Sequence, residues 1–316
     1  MTEMSVTRPV SQAMDHARMI LFRPFDLGKW FVIGFGAWLA TLGEGGGFPG
    51  GFHFGGPRGH GAHNIRAGLE QARDYVLQNL AWIVPLVSCI ILVSFAIWLV
   101  VLWLSSRGRF MFLHCVALNT AEVQVPWTKF AAEANSLFLF RLVISLLGLL
   151  VVLPLVGGFL AVVLGMALSE TVNPVGILLT VGLVLVMTVA GIVLWVIGRL
   201  LDDFVVPLQF LRRSGCLDAW RELRRMYQGT LSNLALYLLF RIVLAIVIAI
   251  VVIAVVLATC CLAGCLMALP YLGTVFLLPV LVFERAYPLF YLQQFGPDYD
   301  LFPPPATDNV SGMASA

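Results

Sequence analysis

The residues best equipped for chemistry in this chain stand at the ends of apolar stretches. Arg199, Asp202 and Asp203 follow one such stretch directly and precede Phe204-Val205-Val206-Pro207. Two carboxylates beside a guanidinium at a membrane boundary have the composition of a proton or cation relay. They suit a structural role equally: pairing at the interface and ending the helix there, with Pro207 kinking the next segment. Glu284 and Arg285, adjacent near the end of another apolar stretch, present the same two readings. These five are the candidate polar residues of the membrane boundary.

Two further groups carry metal-binding side chains. His53, His60 and His63 sit in a glycine-rich segment, and imidazoles bind Zn²⁺ or Cu²⁺, but their spacing fixes no geometry. Cys261 and Cys265 are one helical turn apart, with Cys260 beside them. They could react together or hold a soft metal, yet no His or acid accompanies them, and packing is the expected role. The sequence contains no HExxH, GxSxG or GxxxxGK[ST] motif, and no GxGxxG between a strand and a helix. No catalytic residue, cofactor or metal is therefore expected, and the role anticipated is non-enzymatic.

The elements that must position these groups follow from composition. Hydrophobic residues make up 60% of the 316 and charged residues 11%, against about 25% charged in a soluble domain. That is too little to clothe a water-soluble fold. The net charge of +2, with basic residues dispersed between apolar stretches, excludes a nucleic-acid partner. Six cysteines in so long a chain do not make a disulfide scaffold. The first apolar run begins near Trp30, behind Glu3, Asp15 and Asp26, so it reads as a retained anchor rather than a cleavable signal peptide.

Crossing about 30 Å of hydrocarbon takes about 20 apolar residues in a helix. Residues 81–106, 142–169 and 171–198 satisfy this, and 242–263 with 266–283 form a further pair around a turn at Gly264 and Pro270. A shorter run, 27–42, supplies a sixth span and carries Lys29 near its start, where it can snorkel to the headgroups. Pro85, Pro154 and Pro279 fall within these spans. They fit either the broken helices of transporters or ordinary membrane helices. Gly157, Ala161, Gly165 and Ser169 mark a helix-packing seam. With the N-terminus inside, sixteen of the 19 basic residues face the cytoplasm and only Arg58, Arg66 and Arg73 lie outside. That asymmetry places both termini in the cytoplasm.

The outer segment 43–78 is glycine-rich and expected to be mobile, with a short helix over 67–77 leading into the second span. The tail 296–316, with Pro303, Pro304 and Pro305, is expected to be disordered. Apolar residues recur at helical spacing in three cytoplasmic segments: Val10, Ala13, Met14, Ala17, Leu21; Trp127, Phe130, Ala131, Ala134, Phe138; and Cys216, Trp220, Leu223, Tyr227. These predict amphipathic helices on the inner face, with Arg221, Arg224, Arg225, Trp127 and Trp220 toward anionic lipid. Each stretch leads to Phe-Arg and then a span, at Phe22-Arg23, Phe140-Arg141 and Phe240-Arg241. The pattern suggests three tandem units, although any inward-starting span favours an Arg at its cytoplasmic end.

Three motifs carry a resemblance. They are Arg23-Pro24-Phe25-Asp26-Leu27-Gly28-Lys29-Trp30, with Gly34-Phe35 and Ala37-Trp38-Leu39; Ser106-Arg107-Gly108-Arg109-Phe110-Met111-Phe112; and Asp203-Phe204-Val205-Val206-Pro207, followed by Ala219-Trp220. Together they resemble uncharacterised prokaryotic multipass membrane proteins. These are distantly similar to the membrane domain fused to some glycerophosphodiester phosphodiesterases. The resemblance implies an all-helical bundle in the cytoplasmic (inner) membrane. It carries over no catalytic residue, because that family's hydrolase lies outside its membrane region.

The expected fold class is thus all-α: one polytopic membrane domain over 1–295, of about six transmembrane helices with amphipathic helices at the cytoplasmic interface. The expected partners are membrane lipid and other membrane proteins. The expected role is a membrane component or scaffold, with a small transporter or permease subunit as the alternative and a membrane-embedded enzyme as a third class.

Overall fold

The computed structural model describes residues 5–42, 74, 75, 77–169, 174–228, 231–259, 262–267 and 269–302. All the elements it forms there are helical, and a helix satisfies its backbone groups within the segment. In order they are α1 (Arg8–Phe22), α2 (Leu27–Thr41), α3 (Leu80–Leu118), α4 (Gln124–Lys129), α5 (Ala131–Ser169) and α6 (Pro174–Leu200). A π-turn (Leu201–Val205) then leads into α7 (Val206–Arg212), α8 (Cys216–Met226) and α9 (Leu231–Ala258). The shorter α10 (Leu262–Met267), α11 (Pro270–Phe276) and α12 (Leu278–Gln293) come next, with a final 3₁₀ turn at Pro297–Tyr299.

Among the described residues, four helices are long and apolar enough to cross a membrane: α3, α5, α6 with its continuation to Arg212, and α9. The expected spans 81–106, 142–169 and 171–198 lie largely on the first three, and most of 242–263 lies on α9. The other two differ in form. Residues 27–42 correspond to α2, whose 15 residues extend roughly 22 Å at 1.5 Å each. Residues 266–283 are divided among α10, α11 and α12, with Gly264 inside α10 and Pro270 opening α11. Pro85 and Pro154 sit inside α3 and α5 without ending them. Pro279 falls in the first turn of α12, where a missing N–H is harmless.

The chain divides into two compact units. One comprises Gly50–Trp103 and Phe138–Leu200. Its α5 and α6 run as an antiparallel hairpin: Gly148 faces Leu194, Gly158 faces Leu183 and Gly176 faces Met166. This contact line is not the one expected, since Gly157 and Gly165 meet nothing within 4 Å. The outward residues are large and apolar, with Leu150 71% and Leu178 73% exposed. Such a surface is at home in hydrocarbon and not in water.

The other unit comprises Met1–Pro49, Leu104–Leu137 and Leu201–Ala316. Here α1 lies along α12: Tyr287 Oη donates to the Val6 carbonyl, and His16 packs against Phe290 and Phe302. The buried face of α1 is Pro9, Ala13, His16, Ala17, Ile20 and Leu21, so Met14 of the expected stripe faces outward. Helix α2 runs antiparallel to the C-terminal part of α3. Ser105 Oγ donates to the Ala40 carbonyl, Gly36 abuts Phe112, and Lys29 Nζ reaches Asn119. Gly108 permits this approach, because a Cβ there would stand 2.5 Å from the Leu39 backbone. On its other side α2 meets α11, where Tyr271 Oη donates to the Phe31 carbonyl and Val275 fills the space over Gly34.

The His53, His60 and His63 group, Cys260 and Cys261 lie outside the described residues. So do residues 43–73 of the expected 43–78 loop and the tail beyond 302.

Candidate functional site: a buried ionic cluster at a π-turn

The helix that begins as α6 widens over Leu201–Val205 before resuming as α7. Pro207 supplies a cause. It has no N–H to give the Asp203 carbonyl four residues back, and its ring crowds that position. A π-turn relieves both problems within a continuing helix, and such turns recur at functional sites. Pro207 is therefore accommodated inside the helix, not at its end.

Adjacent residues on a helix point about 100° apart, so the two carboxylates meet different elements. Asp202 pairs with Arg109 of α3, while its carbonyl accepts from Arg285 Nη1 at 2.9 Å. Asp203 turns inward and is 3% exposed. Its Oδ2 accepts the Tyr237 hydroxyl at 2.9 Å and stands 3.4 Å from Arg241 Nε. Arg241, 4% exposed, donates through Nη2 to the Glu284 carbonyl and lies 5.6 Å over the Tyr287 ring. Tyr237 is enclosed by Phe204, Tyr287 and Tyr291, with ring centroids 4.9, 5.9 and 4.6 Å away.

Four parts of the chain are thus tied at one place: α3 by Arg109, the π-turn by both aspartates, α9 by Tyr237 and Arg241, and α12 by Glu284 and Arg285. Of the five boundary residues singled out in the sequence, the structure assembles Asp202, Asp203, Glu284 and Arg285 here. Glu284 takes part through its backbone carbonyl, and its charge also acts on Arg241. Arg199 is half-buried at the end of α6, within the other unit.

Sequence reasoning did not single out Arg109, Tyr237 or Arg241. The available signals were a Tyr and an Arg four residues apart, sharing one helix face, and an Arg within an otherwise apolar run. Two of the three resemblance motifs fall on the cluster, contributing Arg109 and Asp203.

The interfacial candidates lie elsewhere in the same unit. Helix α8 buries Cys216, Ala219 and Leu223 and exposes Arg221, Arg224 and Arg225. Arg221 pairs with Asp218, and Arg212 pairs with Glu222 while lying over the Tyr299 ring. Trp220 is half-buried. Burial pushes the Cys216 thiol up to about 12, so it is no nucleophile at neutral pH. Trp127 on α4 is half-buried beneath the Arg107 guanidinium, which lies 5.1 Å from its ring and donates to its carbonyl. Among the described residues no group of three or more His, Cys, Asp or Glu is placed to hold a metal ion.

Fold and cluster together define a class: an all-helical protein whose four long apolar helices fit a membrane, with an ionic cluster joining its helices. The chain belongs to a family of unknown function (DUF7544), whose model matches residues 4–278. No curated protein and no solved structure is significantly similar to it.

Proposed function

We propose that this protein is a multi-span component of the prokaryotic cytoplasmic membrane that organises lipid or partner membrane proteins and catalyses no reaction. In this reading four crossings are made by the long helices. The broken run α10–α12 makes a further crossing, while α2, packed beside Ser105–Asn119 at the inner end of the α3 span 81–106, is not counted as one. Both termini face the cytoplasm, with α1, α4 and α8 along the inner surface. The single domain over 1–295 and the distant kinship with the membrane region of glycerophosphodiester phosphodiesterases belong to the same proposal.

The observation that carries it is the state of the two aspartates. A proton relay or a catalytic acid needs a carboxylate that can reach a substrate or water. Asp203, with 4% side-chain exposure, is committed to Tyr237 and Arg241, whereas Asp202 pairs with Arg109 while keeping 24% side-chain exposure. Both act as ties between helices. The transporter alternative draws on the π-turn and on ionisable groups at a membrane boundary.

A reconstitution assay separates the two. The purified chain is placed in liposomes with a pH-sensitive dye inside, and ion and proton gradients are imposed. The organising role predicts dye traces matching empty liposomes. A flux abolished by Asp202→Asn, at unchanged protein content, would establish transport and end the proposal.

A further inference from the structure

An open groove of about 810 Å³ lies between α2, the start of the α4 segment and Leu104 of α3. Its volume falls in the range of small-molecule sites. One wall is Phe35, Trp38 and Leu39; the other is Val123, Val125 and Trp127. Its polar lining residues are Gln124 and Thr128, and the Thr128 hydroxyl is already spent on the Gln124 and Val125 carbonyls. A polar solute would find almost nothing to bond, whereas a hydrocarbon chain loses nothing by entering.

Charge next to the Trp127 wall specifies what the chain should be attached to. Arg107 lies over Trp127, and Lys129 comes directly after Thr128, its Nζ 5.9 Å from the Phe130 ring. Arg213 Nη1 donates to the Lys129 carbonyl, and its guanidinium stacks 4.3 Å from Phe130 while pairing with Glu133. Glu122, ahead of Val123, is the acid adjoining the groove-lining stretch in sequence. Basic groups therefore outnumber acids around the α4 segment. A tryptophan beside such groups is the usual furniture of the headgroup level.

We propose that this groove is a binding site for an anionic phospholipid, with one acyl chain along Phe35, Trp38 and Val125 and the headgroup phosphate at Arg107 and Lys129. The inference rests on the membrane reading above and adds to it a place, a ligand class and a polarity of binding. It also assigns work to Phe35 and Trp38, which tertiary packing leaves half-exposed.

The test uses the full chain reconstituted with phosphatidylglycerol or phosphatidylcholine carrying a diazirine in the acyl chain. The sites of photolabelling are then mapped by peptide mass spectrometry. Labelling of peptides containing Phe35–Leu39 and Val123–Thr128 should be about fivefold stronger for phosphatidylglycerol, the increment of about one basic residue near an anionic surface. Val125→Trp with Thr128→Trp, both at exposed positions, should fill the groove and abolish that labelling. Labelling of the exposed α3 face near Ile91 and Leu92 should persist. Lys129→Gln should erase most of the headgroup preference. Should the filled variant fail to fold, competition on the unaltered chain decides: unlabelled phosphatidylglycerol should displace the probe from the groove peptides and phosphatidylcholine should not. Equal labelling by both lipids, or labelling indifferent to groove filling, overturns the site. Loss of labelling on the α3 face as well would overturn the membrane reading, a separate failure.

Discussion

Replacing Asp203 by Asn tests the cluster most directly. The change keeps the shape and removes one charge. Arg241 is then left as a cation with 4% side-chain exposure, facing a neutral amide, the Glu284 carbonyl and the Tyr287 ring, with the Glu284 charge as its remaining counter-charge. Breaking a buried pair by removing one partner costs about 3–5 kcal/mol, because the remaining charge has lost its compensation. Tyr237→Phe removes a hydrogen bond to a charged group, a loss of about 1.5–3 kcal/mol. Removing both charges is different in kind. Asp203→Leu with Arg241→Met discards the pair and its desolvation penalty together, and such replacements range from neutral to about 1–4 kcal/mol stabilising. Reversible unfolding in mixed micelles, followed by tryptophan fluorescence, gives the free energies. A double-mutant cycle of Asp203→Asn and Arg241→Gln gives their coupling. The expected order is single charge removal worst, Tyr237→Phe intermediate, and the apolar double replacement closest to the parent. If Asp203→Asn costs less than about 1 kcal/mol, or the cycle shows no coupling, the pair is not what ties α9 to the π-turn and the reasoning fails.

Three further outcomes are expected. Gly108→Ala would drive a methyl into the Leu39 and Ala40 backbone and should cost about 1–3 kcal/mol, or prevent accumulation of folded protein, as read by fluorescence-detected size exclusion. Burial holds the His16 pKa below its ordinary 6.5, with the bond to the Val116 carbonyl opposing the shift. Its stabilising effect is therefore complete above about pH 6.5 and is lost as pH falls through the lowered value. Hydrogen exchange in α1 should rise on acidification, and His16→Gln should flatten that response. A cysteine placed at Gly61 in a cysteine-free chain should react with an impermeant maleimide added outside intact cells, and one at Ser11 only after lysis. Reaction of both from the same side would remove the crossing between them.

Much of the helical content was legible because hydrocarbon leaves a chain little choice. Uncharged runs such as 81–106 and 171–198 announce helices by length alone. Two expected spans came out differently for local reasons. The run 266–283 contains Pro270 and Pro279, each of which opens a helix. The run 27–42 reads as a short anchor by hydropathy, yet its glycines are contact points: Gly34 receives Val275 and Gly36 receives Phe112. Hydropathy cannot distinguish a helix that faces lipid from one that faces its own chain. The same ambiguity hid the face of α1, where Val10 and Met14 belonged to the expected stripe but Pro9, His16 and Ile20 are the residues buried. It also misplaced the seam on α5, since Gly157 and Gly158 differ by one position and only the second faces α6.

The sequence by itself determined the apolar composition, the helical character and the positions where charge interrupts apolar runs, because these depend on composition and on distances along one chain. It marked Asp202, Asp203, Glu284 and Arg285 as unusual. It did not say with what they would pair. That was decided by tertiary structure, which brought Arg109, Tyr237 and Arg241 to them across 93, 34 and 38 residues of chain. A buried charge is tolerable only beside its counter-charge, and which counter-charge it meets depends on how helices pack, a quantity no single helix carries.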